Sequence, residues 1–197
     1  MVHLYGGGFA GTAVQCDWTH SRLAARLPAL VFSVEHRLLA PGSLLSNAAD
    51  DGWDVPWYVP RRAAQWGVDT ASTAVFGESR GVLVSAPTAV RARRAGPGLT
   101  AQVLVGPVVG VAEAMSDRPS VTEYGHGPAL TLPRLRLFRR PAVPPEADAR
   151  AVSPPYAGDP GGPAPALVVV PARDAAAATP NGRARRGPPR GFPSTGR

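Results

Sequence analysis

The stretch Ala74-Val75-Phe76-Gly77-Glu78-Ser79-Arg80-Gly81-Val82 decides how the chain is read. Its apolar start predicts a short strand, its Gly-x-Ser-x-Gly a tight turn, and the residues after the turn a helix. A serine at the tip of such a turn adopts strained backbone angles. Gly77 and Gly81, two residues to either side, must then be small for the turn to close. The turn lifts the Ser79 hydroxyl above the sheet at a helix N-terminus, where the backbone N–H of Arg80 is placed to donate to an oxyanion. Gly77, Glu78 and Gly81 are therefore read as the elbow and Ser79 as a nucleophile. The five-residue pattern alone is common, and the surrounding chain supplies its specificity.

Composition narrows the class. The chain has 197 residues, 44% of them hydrophobic, enough for one domain with a real core. One cysteine, Cys16, excludes an internal disulfide framework. No segment approaches the ~18 continuous apolar residues of a membrane span. Val2-His3-Leu4-Tyr5 is not preceded by a charged leader, so a cytoplasmic protein is expected. The net charge of +7 invites a nucleic-acid reading. Yet all 21 basic side chains are Arg, and Ile is absent too. With abundant Gly, Pro and Ala, this fits a GC-rich coding sequence. No basic stripe interleaved with aromatics supports nucleic-acid binding.

Strand and helix patterns alternate, which predicts a mostly parallel sheet with helices on both faces. Strands are expected at residues 2–5, 29–35, 72–76, 101–105 and 166–170. The second, with sequence A-L-V-F-S-V-E, suits a sheet buried on both faces. Helices are expected at residues 16–27, with Trp18, Leu23 and Leu27 on one face, and at 81–95. A loop is expected over residues 41–45. A longer helical pattern over residues 46–66 should be kinked or split at Pro56 and Pro60, and Gly67 ends it. Trp53, Trp57 and Trp66 are read as core. Residues 108–165 read as irregular with one helical piece near 132–139. From 175 onward the chain is rich in Pro, Gly and Arg without apolar period, so 1–174 is read as the folded domain and 175–197 as a disordered tail.

Three motifs in order carry a family resemblance: Tyr5-Gly6-Gly7-Gly8-Phe9, His36-Arg37-x-x-Ala40-Pro41 and Gly77-Glu78-Ser79-Arg80-Gly81. Gly67-Val68-Asp69, Ser153-Pro154 and the run from Pro165 to Asp174 fit as well. The chain resembles the hormone-sensitive-lipase-like branch of the α/β-hydrolases, the fold-3 esterases and lipases. The resemblance implies hydrolysis of small carboxylic esters through an acyl-enzyme, without cofactor or metal. Carried over by position, Ser79 matches the nucleophile, Asp174 the acidic triad member, and Gly6, Gly7 and Arg80 the oxyanion hole. It says nothing of oligomeric state.

The departures point the other way. The triad histidine should follow Asp174, but no histidine does, and Arg190-Gly191-Phe192 stands where the family has His-Gly-Phe. An arginine, with a pKa above ~12, is no general base at neutral pH. Tyr5 replaces the usual His, Arg80 a small residue and Val82 a glycine. His3 and His36 are expected to be structural, and His126 lies in a loop. The four histidines and Cys16 show no metal-ligand spacing, which argues against zinc. Against the family pattern the chain opens at the glycine strand, so a domain cut at both ends is expected. The loss of periodicity after Asp174 fits a changed reading frame. Impaired hydrolysis is therefore expected; the alternative is a non-catalytic module that binds a small hydrophobic ligand.

Overall fold

The computed structural model describes residues 1–8, 11–38, 43–96, 98–111, 113–127, 130–139, 146–153, 162–171 and 173–176. Phe9, Ala40, Pro41, Pro154, Arg190–Phe192 and the rest of the expected tail beyond 176 lie outside the described residues.

Five parallel strands form one sheet in the order β2-β1-β3-β4-β5. They are β1 (Val2–Leu4), β2 (Phe32–Ser33), β3 (Ala74–Glu78), β4 (Ala101–Val105) and β5 (Ala166–Val169). The central pairing sets Val2 opposite Val75, His3 opposite Phe76 and Leu4 opposite Gly77. Parallel strands need long crossovers, and these carry the helices. They are α1 (Asp17–Arg26), α2 (Leu45–Arg61), α3 (Ala63–Trp66), α4 (Val82–Ala95), α5 (Pro119–Tyr124), α6 (Leu132–Arg139) and α7 (Glu146–Ala151).

Side-chain alternation along the strands assigns the two faces. Val2, Leu4 and Val75 point to one face and pack with Ala48 of α2 and with Val84 and Ala89 of α4. A second cluster continues this layer: Leu45 and Ala49 of α2 meet Leu83 of α4, Val111, and Ala149 and Val152 in and after α7. His3 and Phe76 point to the other face, with ring centroids 4.6 Å apart, and there His3 meets His20 of α1. Helices on both faces of a parallel sheet are the expected architecture.

Several local expectations change. The second strand narrows to Phe32–Ser33 because it forms the sheet edge and pairs on one side only, with β1. The third runs from Ala74 to Glu78 because Thr70–Ser72 is taken up by a 3-10 turn capped by the Asp69 side chain. The expected loop ends a residue early, at the start of α2. The long helical pattern does split, but at Arg62 rather than at a proline. Pro56 is buried inside α2, and Gly67 at φ +61° closes α3. Among the described residues, 108–165 hold three α-helices and the 3-10 turn Glu113–Asp117 rather than one helical piece.

The expected apolar face of α1 is not a core face. No residue of α1 is buried, and Trp18 is 70% exposed with the Arg22 guanidinium stacked over its ring. The tryptophans are not core either. Trp53 and Trp57 are half-buried against each other, edge to face, and exposed Trp66 packs edgewise on Phe32. At the far edge, Leu167, Val168 and Val169 of β5 are exposed. Ala175 and Ala176, at the start of the expected tail, are buried with Met115, Val121 and Leu135.

Candidate active site

The C-terminal end of β3 leads straight into the turn that carries Ser79. Ser79 has φ +50°, the one positive φ of a non-glycine residue among those described. An L-residue there carries strain of about 1–3 kcal/mol, sustained only where the surroundings over-determine the turn. Three close approaches do so here. A Cβ on Gly81 would run into the carbonyl oxygen of Leu4 and stand 2.8 Å from that of Tyr5. One on Gly77 would strike Ser85 Oγ, 3.0 Å from the Gly81 carbonyl. One on Gly6 would lie 2.9 Å from both Glu78 O and Ser79 Cβ. The motif's glycines are thus required by packing, and Gly6 brings the glycine loop against the elbow. The turn is tied forward as well: the Val108 N–H donates to the Ser79 carbonyl at 3.1 Å.

The glycine loop leaves β1 with positive φ at Gly7 (+82°) and Gly8 (+62°). Gly6 is buried and Gly7 exposed. Gly7 lies against Gly11 and the Gln15 amide, and Gln15 in turn closes a capping box with Thr12. Chain reversal needs the glycines, and the capping box holds the far side of the loop.

Beneath this loop sits a polar bracket that composition did not reveal. The Tyr5 hydroxyl donates to Glu35 Oε1 at 2.7 Å, and the other Glu35 oxygen accepts from the Ala13 N–H at 2.9 Å. These two hydrogen bonds hold the Glu35 carboxyl below its usual range. The Tyr5 ring stacks on His36 at 4.3 Å. The His36 ring nitrogens each lie 3.3 Å from a carbonyl, of Tyr5 and of Arg37. Burial, then the nearby Arg80 charge, holds His36 below its ordinary value. Arg37 pairs with Asp51 of α2 at 2.8 Å and fixes this segment to the helix layer.

Arg80 does not crowd the elbow from outside. Its side chain is 1% exposed, directed into the protein, and burial lowers its pKa to about 10, still cationic at neutral pH. His3 and His36 are both buried, at 0% and 1% exposure. His126 is exposed. Among the described residues no histidine hydrogen-bonds the half-buried Ser79. Asp174 follows β5 at the same C-terminal sheet edge as Ser79, separated from β3 by β4. Its Oδ1 accepts from the Ala176 N–H at 2.8 Å, and Ser120 Oγ donates to the Ala175 carbonyl at 3.2 Å. Sites in parallel sheets lie at that edge.

His3, Cys16 and His20, without metal-ligand spacing as a set in the sequence, converge so that their ligand atoms all lie within 4.8 Å. The legible part was Cys16 and His20, four residues apart along a helical segment; His3 joins them only through the strand.

A parallel sheet, a strained turn at Ser79 and an adjoining glycine loop define an α/β-hydrolase scaffold. The chain belongs to the alpha/beta hydrolase fold family, whose model matches residues 1–186, in its fold-3 branch. It is 32% identical over 142 residues to Esterase LipI of Mycobacterium tuberculosis, covering 71% of this chain and 43% of that protein. It is 35% identical over 134 residues to Carboxylesterase NlhH of the same species, covering 66% and 40%. The structure superposes on the esterase of Pyrobaculum calidifontis, in its monoclinic form, with TM-score 0.80 and 33% identity, covering 89% of this chain and 58% of that one. The chain thus spans less than half the length of the curated relatives it matches. No helix of the described residues is long and apolar enough to cross a membrane.

Proposed function

We propose that the chain carries the acyl-transfer half of a carboxylic-ester hydrolase, with Ser79 as nucleophile. The observation that carries this reading is the φ of +50° at Ser79, held by the contacts of Gly6, Gly77 and Gly81. A strained serine at a strand-to-helix turn is maintained where its hydroxyl must stand clear of the backbone. In the reaction Ser79 Oγ attacks the ester carbonyl, and the N–H groups of Gly6, Gly7 and Arg80 take the oxyanion. The alcohol leaves with a proton, and water then cleaves the acyl-serine. Asp174 is the acidic partner. LipI, NlhH and the Pyrobaculum enzyme are esterases by name, which supports ester hydrolysis as the reaction class.

A second reading rests on the histidines. His3 and His36 are buried in other contacts, so neither serves Ser79 as a base. The oxyanion hole and binding alone leave a residual ~10³–10⁴-fold over water. The turnover expected of the chain is accordingly low, and a pocket that retains a hydrophobic ligand is the competing function. A fluorophosphonate probe separates the two. Labelling of the folded protein that disappears in Ser79→Ala, with p-nitrophenyl acetate turnover above that variant, supports the hydrolase. A folded protein that neither labels nor turns over rejects it.

A further inference from the structure

We propose that His3, Cys16 and His20 form a binding site for a thiolate-seeking divalent cation, Zn(II) by ligand chemistry. It lies on the sheet face opposite α2 and α4. His3 comes from β1, Cys16 ends the 3-10 turn Ala13–Cys16, and His20 stands one helical turn further along α1. Their ligand atoms lie within 4.8 Å of one another, and His20 Nε2 is 2.7 Å from His3 Nδ1. Around a tetrahedral zinc with its usual bond lengths, neighbouring ligand atoms stand about 3.3–3.7 Å apart. The observed separations bracket that spacing, so shifts of side-chain size complete the site.

The donor set decides the ion. One thiolate and two imidazoles suit zinc, whereas calcium and magnesium take oxygen ligands. Three protein ligands leave a fourth tetrahedral position for water. On binding, the Cys16 thiol releases one proton to solvent and the imidazoles bind as neutral rings. No electrons are transferred.

His3 would ligate through Nδ1, the nitrogen that faces His20; its Nε2, on the far side of the ring, is fully buried and takes no part. Zinc binding would break the hydrogen bond that the Cys16 thiol donates to Glu78 Oε1 at 3.4 Å, because the thiol must lose its proton. The mechanical consequence is specific. No residue of α1 is buried, so a cation shared between β1 and α1 would fasten a helix that apolar burial does not.

The test uses the full chain, freed of metal with a chelator and then titrated with Co(II) and Zn(II). The expected result is one equivalent of Co(II) with a thiolate-to-cobalt charge-transfer band and tetrahedral d–d bands. Zn(II) should displace it and raise the melting temperature. Cys16→Ser abolishes the charge-transfer band, and His20→Ala weakens Zn(II) by more than about 100-fold, beyond the loss typical of outer-shell partners. His126→Ala binds as the parent does. The folded parent protein decides the matter even if a variant fails to fold. A cobalt spectrum without the thiolate band, or zinc affinity equal in the parent, Cys16→Ser and His20→Ala, overturns the proposal. It leaves a hydrogen-bonded histidine pair beside a buried thiol.

Discussion

Gly6 and Ser79, far apart in the chain, are so close that a methyl on Gly6 would stand 2.9 Å from the Ser79 β-carbon. Real β-carbon contacts do not reach that distance, so the loop would have to lift away from the elbow. Gly6→Ala is therefore expected to cut the rate of fluorophosphonate labelling by about 100-fold, the scale of one lost oxyanion donor. Far-UV circular dichroism should be unchanged. Parental labelling in a folded Gly6→Ala protein would show that the loop takes no part.

The positive φ of Ser79 separates two variants that both remove the hydroxyl. Ser79→Ala keeps a β-carbon in the left-handed region, whereas Ser79→Gly relieves it. Ser79→Gly should be the more stable by about 1 kcal/mol, the strain relieved less the entropy that glycine loses on folding. Urea midpoints measure the difference, and equal midpoints would mean that the elbow is unstrained.

Gly81 is limited by backbone rather than by a side chain. Its added methyl would meet the Leu4 carbonyl inside the central sheet, and nothing flexible can yield. Gly81→Ala should cost more than about 2 kcal/mol, by overpacking. Gly98→Ala, in open space without positive φ, should lie within about 0.5 kcal/mol of the parent. Thermal or urea denaturation checks the contrast.

His36 predicts how stability follows pH. Its folded pKa lies below the ordinary 6.5 through burial and the Arg80 charge, with Asp51 opposing. Below pH about 6.5 the unfolded chain takes up a proton that the folded chain refuses, so stability falls as pH falls from there towards the folded value. His3, lowered to about 4 by burial, adds to the same slope. His36→Phe keeps a ring against Tyr5 and should flatten the loss of stability between pH 7.5 and 5 without removing it. An unchanged slope would mean that His36 is charged in the folded state.

The sheet and elbow were legible because their signals are local. A run of apolar residues marks a strand, and close approaches, of the Ser85 side chain at 77 and of the Leu4 backbone at 81, force glycine there. The edge character of β2 was not legible, because the same apolar run serves a central or an edge strand until its neighbours are known. Trp18 misled for a related reason: it stands exposed on a helix that meets the sheet through His20, on another face. The Tyr5–Glu35–His36 bracket depends on pairing across β1 and the segment after β2, and no periodicity reports that. The burial of Arg80, noted from sequence only as standing for a small residue, was not legible because sequence does not tell which way a side chain points.

The contact of Gly81 with Leu4 has a consequence for inheritance. Selection for folding alone keeps the two glycines of the elbow, because any larger residue at either would push strands β1 and β3 or helix α4 apart. The serine between them has no such protection, since its strained angle is better suited to glycine. In a lineage that ceased to cleave esters, drift would erode the serine first and leave the glycines standing. Ser79 is therefore the position whose persistence in descendants records continued use, while Gly77 and Gly81 record only that the chain still folds.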